Sequence, residues 1–197
     1  MMIDSSQYGE YRFLKVYYKN HQSIHKIVVD VGACCKKYSN SYDLIMRHNW
    51  FGLLIEPDEE NFKQLKKDFK NSNVELLNLA VADYCGDSKL YIHEARGHHS
   101  LVRKSNKTEE VTVATLPDIL KIYNIPSDFE VLTTDTEGLD YRIIKFMLEK
   151  SSYRPQIIIH EKGHDINKKD CLDLMKKFGY KRINETPGNL IYEKRYH

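Results

Sequence analysis

The feature that most restricts this chain is an alternation: from Ile24 onward, short apolar runs rich in Ile, Val and Leu are separated by stretches of helical period. Continuous apolar runs mark strands buried on both faces, the situation of a parallel sheet with helices packed on either side. Strands are expected at residues 27–31, 52–56, 74–80, 130–135 and 156–161. Between them, residues 59–70 align Phe62, Leu65 and Phe69 on one helix face, with Asp58 placed to cap after Pro57. Residues 140–149 align Ile143, Ile144, Met147 and Leu148. Residues 170–178 align Cys171, Leu174, Met175 and Phe178 and stop at Gly179. Residues 180–184 and 190–194 flank Thr186-Pro187-Gly188-Asn189, which reads as a hairpin. The expected fold is a three-layer α/β/α sandwich whose sheet is mainly parallel, closed by a C-terminal antiparallel hairpin.

Two segments stand outside the alternation. Tyr8, Tyr11, Phe13, Leu14, Tyr17 and Tyr18 suggest a helical extension within residues 1–22. Residues 86–113 hold strand-like pieces at 89–93 and 111–113 around a polar loop, an insertion that suits a lid or a substrate contact. The 197 residues fit one domain.

Composition limits the function classes. The chain is 41% hydrophobic and 29% charged, and no apolar run approaches the ~18 residues of a membrane span. The first residues include Asp4 and Glu10 and lack a basic segment followed by an apolar one, so a cytoplasmic location is expected. Cys34, Cys35, Cys85 and Cys171 contain no Cys-x-x-Cys pair, which suits neither a disulfide framework nor a structural zinc site. The formal charge is only +2 and the lysine doublets are scattered, so nucleic acid is not an expected partner.

In an open parallel sheet, ligands bind beyond the carboxyl ends of the strands, and here those ends are acidic. The first strand runs Val28-Val29-Asp30-Val31-Gly32-Ala33, and the second ends Leu54-Ile55-Glu56-Pro57, a carboxylate 26 residues after Asp30. That is about where such folds hold ribose hydroxyls. A dinucleotide fold would continue with G-x-G-x-x-G to receive a pyrophosphate, but Gly32 is followed by Ala33-Cys34-Cys35-Lys36. The nucleoside cofactor that needs no phosphate site and presents ammonium and sulfonium cations is S-adenosylmethionine.

The chain resembles the FkbM-type methyltransferases of the seven-strand class I fold, from Ser6 to about Tyr192. The resemblance is carried by Ser6-Gln7-Tyr8-Gly9-Glu10, Val29-Asp30-Val31-Gly32-Ala33 and Trp50-Phe51-Gly52-Leu53-Leu54-Ile55-Glu56-Pro57. It continues through Asn78-Leu79-Ala80-Val81-Ala82-Asp83 with Gly86, Thr115-Leu116 with Ile119-Leu120, Thr134-Asp135-Thr136-Glu137-Gly138, and Pro155-Gln156-Ile157-Ile158-Ile159 ending in Glu161. The resemblance implies a cofactor site of Gln7, Gly9, Glu10, Asp30, Gly32, Ala33, Glu56, Pro57, Leu79, Ala80, Asp83 and Asp135. Within it, Asp30, Gly32 and Ala33 serve the amino-acid part, Glu56 the ribose, and Leu79, Ala80 and Asp83 the adenine. Asp135 is implied beside the methyl group, with Glu137 close by. The acceptor implied is a hydroxyl of a sugar or glycan.

Methyl transfer from a sulfonium is an in-line displacement, so alignment of acceptor and methyl is the main contribution asked of the protein. Asp135, His160 and Glu161 are candidates to remove the acceptor proton. Should Asp135, Glu137 and Glu161 converge, they offer a hard-oxygen site for a magnesium ion. His98, His99 and Ser100, in the polar insertion, are candidate substrate contacts. The chain departs from the family where Cys34-Cys35-Lys36-Lys37 replaces small residues after Gly32, and where Asp140 replaces a commoner glutamate. Two rival readings remain: a methyltransferase acting on RNA, a lipid or a small metabolite, and a cofactor-binding subunit without catalysis.

Overall fold

The computed structural model describes residues 4, 6–95, 97–163 and 168–195. Of the expected extension, residues 1–3 and 5 lie outside the described residues. A helix, α1 (Glu10–Asn20), precedes β1 (Ile27–Val31), α2 (Tyr42–His48), β2 (Phe51–Ile55), α3 (Glu59–Asp68) and β3 (Val74–Leu77). Then come β4 (Ala80–Ala82), β5 (Gly86–Ile92), β6 (Lys107–Thr115), α4 (Leu116–Ile122) and β7 (Val131–Thr134). The chain continues through α5 (Asp140–Lys150), β8 (Ile157–Glu161), α6 (Lys168–Lys177), β9 (Tyr180–Glu185) and β10 (Asn189–Lys194).

Seven strands form the main sheet in the order β3-β2-β1-β7-β8-β10-β9. The five from β3 to β8 are mutually parallel, and β10 runs antiparallel to both of its neighbours. This is the mainly parallel sheet with a closing antiparallel hairpin expected from the apolar runs. The strand order turns back between β1 and β7, whose register pairs Asp30 with Thr133 and Val31 with Thr134. Strand-end loops splay apart at such a reversal and leave a crevice.

The sheet separates two cores. One side gathers Val29, Val31, Leu53, Ile55, Leu132 and Ile158 under α4, α5 and α6; the other gathers Val28, Leu54, Val131, Ile157 and Ile159 under α1, α2 and α3. Successive residues of one strand alternate between these cores, as the pleat requires. The helix faces read from sequence are those that pack: Phe62 and Leu65 of α3, Ile143, Ile144, Met147 and Leu148 of α5, and Cys171, Leu174 and Met175 of α6 are all buried. Asp58 caps α3, its Oδ1 accepting from the Asn61 N–H at 2.7 Å.

Two elements differ from the sequence reading. The run 74–80 is broken at Asn78 and Leu79, so β4 leaves the main sheet and pairs with β6. The polar insertion supplies the rest of that second sheet, ordered β4-β6-β5, with β5 and β6 antiparallel from Gly86↔Val113 to Ile92↔Lys107. Its strands carry Lys, Glu and Thr on a solvated face, and that composition hides them in an apolar-run search.

Glu130 is fully buried and accepts the backbone N–H groups of Ile24, His25 and Ile27, fixing the path into β1. Glu10 does the same for the ends of the chain. Its carboxylate accepts from the Tyr8 N–H, Thr186 Oγ1 and Asn189 Nδ2 at 2.7–2.9 Å, tying α1 to the β9–β10 turn.

Candidate active site

The turn after β1 is set by Gly32, at φ +84°. A Cβ there would lie 1.9 Å from the Asp135 carbonyl oxygen, so only glycine lets the turns after β1 and β7 touch. Beyond it, the Cys34 N–H donates to Glu56 Oε2 and the Asp58 N–H to Glu56 Oε1, each at 2.9 Å. Glu56 is thus gripped by the backbone on both sides. Burial nevertheless pushes its carboxyl up to about 7, since two amide donors only partly replace lost hydration. Asp30 is also buried, and Ser41 Oγ donates to it at 2.6 Å. Ser41 sits at the N-terminus of α2, in a hydroxyl pair with Ser39 at 2.9 Å. Burial raises Asp30 to about 6.

These turns border an open cleft of about 520 Å³. Gly32 and Cys34 form one wall, Glu56, Pro57 and Asn61 another, and Leu79, Ala80 and Val81 an apolar side. Asp135, Thr136 and Leu139 close it from β7, while Gly97, His99 and Leu101 roof it from the β5–β6 loop.

Next to the cleft, the ends of β7 and β8 gather carboxylates. Asp135, Glu137 and Glu161 each place a carboxylate oxygen within 4.8 Å of the others. Asp135 is held well above the usual carboxylate range, first by burial and then by the negative charges of Asp140, Glu161, Glu137 and Asp30. Its Oδ1 is enclosed and has no hydrogen-bond partner among the described residues. Glu161 is raised to about 7 by burial, then by Glu137 and Asp140. Glu137 has φ +55° and its side chain is occupied: His98 Nδ1 donates to Oε1 at 2.9 Å and Arg103 Nη1 donates to Oε2. Ser100 Oγ donates to the Glu137 carbonyl oxygen at 2.8 Å. Asp140, at the start of α5, accepts from Thr136 N–H and Oγ1 and shapes this turn.

Of the expected cofactor residues, Gly32, Glu56, Pro57, Leu79, Ala80 and Asp135 line the cleft, and Asp30 and Ala33 are buried behind it. Gln7, Gly9 and Glu10 do not line it; the Glu10 carboxylate is taken by the chain-end tie. Asp83 also lies outside, paired with Arg142 of α5 at 2.5 and 3.1 Å. Glu137 and Glu161 are brought to Asp135, but His160 is not. Its ring is buried, Nδ1 donates to the Glu161 carbonyl oxygen, Nε2 lies 3.4 Å from Cys171 Sγ, and Tyr192 stacks on it at 5.6 Å. Desolvation lowers its pKa, so the ring is a neutral part of the packing under α6. His98 and Ser100 meet Glu137 as a group, whereas His99 faces the cleft, 3.9 Å from Asp58 Oδ2, and burial lowers its pKa. Sequence reasoning missed Ser41, Asn61 and Arg103. Only Arg103, a cation in a loop already under suspicion, carried a readable signal.

Residues 30–182 match the family model described as the Methyltransferase FkbM domain. None of the curated proteins matches the chain in sequence. Among solved structures, a methyltransferase FkbM from Methylobacillus flagellatus KT superposes with a TM-score of 0.56 at 14% identity, over 88% of this chain and 44% of that one. The N-terminal domain of human METTL16 gives 0.53 at 12% identity, over 95% and 67%. A precorrin-6y C5,15-methyltransferase from Geobacter metallireducens GS-15 gives 0.51 at 12%, over 94% and 87%. At these identities the likeness is one of fold. The chain spans less than half the length of the Methylobacillus protein.

Proposed function

The chain belongs to the FkbM family of S-adenosylmethionine-dependent methyltransferases, and from that premise we propose that it methylates a hydroxyl of a sugar or glycan-type acceptor. One observation carries the reading. Gly32, Glu56 and Asp135 converge on a single cleft at the reversal of strand order, and Asp135 joins that cleft to a carboxylate cluster with Glu137 and Glu161. Each Glu56 oxygen accepts one backbone amide and the Asn61 side chain donates to the same carboxylate, which with about four lone-pair sites still has room for a ribose hydroxyl. Leu79, Ala80 and Val81 offer the adenine an apolar face. The cations of the cofactor lie toward Asp135, where uncompensated negative charge favours them.

In the transfer, a lone pair of the acceptor oxygen forms the new bond to the methyl carbon. The carbon–sulfur bond breaks, and its electron pair leaves with sulfur as a neutral thioether. Asp135 takes the acceptor proton, a role suited to a carboxylate that burial and neighbouring negative charges make more basic than usual. The polar surround of Glu137, Glu161, Arg103 and His98 suits a polyhydroxylated acceptor better than a lipid. An acidic mouth also repels the phosphates of RNA.

The same three carboxylates fit a divalent cation such as magnesium. All donors are hard oxygens, and the enclosed Asp135 Oδ1 lacks a partner among the described residues. When bound, the ion would supply Lewis acidity to the acceptor hydroxyl. Asp135, Glu137 and Glu161 would hold it.

The test is incubation with labelled methyl donor and a panel of sugars and glycans, with and without a chelator, alongside calorimetry with S-adenosylmethionine. Label transfer to a hydroxylated acceptor is expected. Cofactor binding by the folded protein without label transfer to any acceptor would favour the non-catalytic rival instead, and absence of cofactor binding would overturn both.

A further inference from the structure

We infer that Arg103 is the resident counter-ion of the carboxylate cluster, which a divalent cation must displace from Glu137; this rests on the cation-binding reading of Asp135, Glu137 and Glu161. Both oxygens of Glu137 are taken, Oε1 by His98 and Oε2 by Arg103, whereas Asp135 Oδ1 has no partner among the described residues. The charge of Arg103 also reaches Glu161, so one guanidinium serves two members of the cluster while Asp135 has no cation of its own among the described residues. Glu137 can turn an oxygen to an incoming ion only if a donor lets go.

Arg103 is the donor built to leave. Its side chain is 44% exposed while that of Glu137 is 9% exposed, so the guanidinium can move into water without uncovering a cavity. Its departure does not loosen the loop. Ser100 stays fastened to the Glu137 carbonyl, accepts the Val102 and Arg103 N–H groups at 3.1 Å, and exchanges two backbone hydrogen bonds with Tyr91. The loop is held by its backbone and the charge by a free-swinging side chain. Arginine keeps its proton at any accessible pH, so while it stays it opposes a second cation by charge as well as by occupancy. Weak ions and lone ammonium groups are thereby turned away, and a dication that can engage all three carboxylates at once is favoured.

The experiment titrates the intact protein with Mn²⁺, reading the free ion by electron paramagnetic resonance, for wild type, Arg103→Gln, Glu137→Gln and Asp135→Asn. Arg103→Gln should bind Mn²⁺ about tenfold more tightly than wild type, since a competing charge is gone. Glu137→Gln and Asp135→Asn should bind more weakly. Melting curves establish that each variant is folded, and His98→Gln is the substitute if Arg103→Gln is not. Equal or weaker Mn²⁺ affinity in Arg103→Gln leaves the cation site standing and overturns the exchange. No Mn²⁺ bound by wild type or by Arg103→Gln removes the cation site and the exchange together.

Discussion

The carboxylates after β1 and β2 and those after β7 and β8 lie at the same edge of the sheet but are treated in opposite ways. Asp30 and Glu56 are satisfied by their own neighbourhood: a serine hydroxyl for one, two amide groups for the other. Asp135 and Glu161 are crowded against like charges, and Glu137 is balanced by side chains borrowed from the β5–β6 loop. The first region is finished before any ligand arrives, which suits holding a constant cofactor. The second remains out of electrostatic balance until something positive or a proton enters, which suits the place where bonds change.

The comparison breaks most decisively at the point where the two regions touch. Gly32→Ala should destabilise the protein by about 3 kcal/mol or more, because its Cβ meets backbone and the φ is positive. A urea midpoint close to that of wild type would falsify the claim that the turns are in forced contact. Asp135→Asn should lower turnover by about 100-fold or more and weaken cofactor binding by a much smaller factor, because both the proton acceptor and one nearby negative charge are removed. The same variant should melt higher than wild type at pH 8 and gain less at pH 4, since it removes a carboxyl strained by its neighbours. Unchanged turnover takes Asp135 out of the reaction.

Away from both regions, Glu10→Ala should cost about 2 kcal/mol, leaving Thr186 and Asn189 without their acceptor, with little change in cofactor affinity. A large loss of cofactor affinity in a stable Glu10 variant would restore it to the cofactor site. The most gradual effect expected is in the pH dependence of the ligand-free protein. Asp30 rises from 3.8 to about 6 and Glu56 from 4.5 to about 7, so the folded state holds protons that the unfolded chain releases. Their contribution is complete below about pH 4 and is lost as the pH climbs through 6 and 7, so stability falls across that window. Melting temperatures between pH 4 and 8 should fall accordingly, and Glu56→Gln should flatten the slope.

Much of this contrast could be read from the residues. An apolar run buried on both faces announces itself, so β1 falls on the expected residues and β2, β7 and β8 lie within one residue of theirs at each end. Position at a strand end also sufficed to bring Asp135, Glu137 and Glu161 together. What the residues concealed depends on pairing across distance. β4 looks like the tail of β3 until its partner in β6 is known, and α2 is a short helix whose value lies in delivering Ser41 to Asp30. Glu10 and His160 show the reverse failure: a polar residue near a functional stretch was expected to act there. Three local donors claim the first, and a cysteine and a tyrosine enclose the second.

The missing side chain at Gly32 has a last consequence. Because main chain rests on main chain there, the spacing between the donor half of the site and the acceptor half is a property of the backbone and is indifferent to which side chains line either half. Loop residues such as Arg103 or His98 can then be exchanged without changing the distance between the turns after β1 and β7. A scaffold with that separation can diversify its substrates while keeping one geometry of transfer.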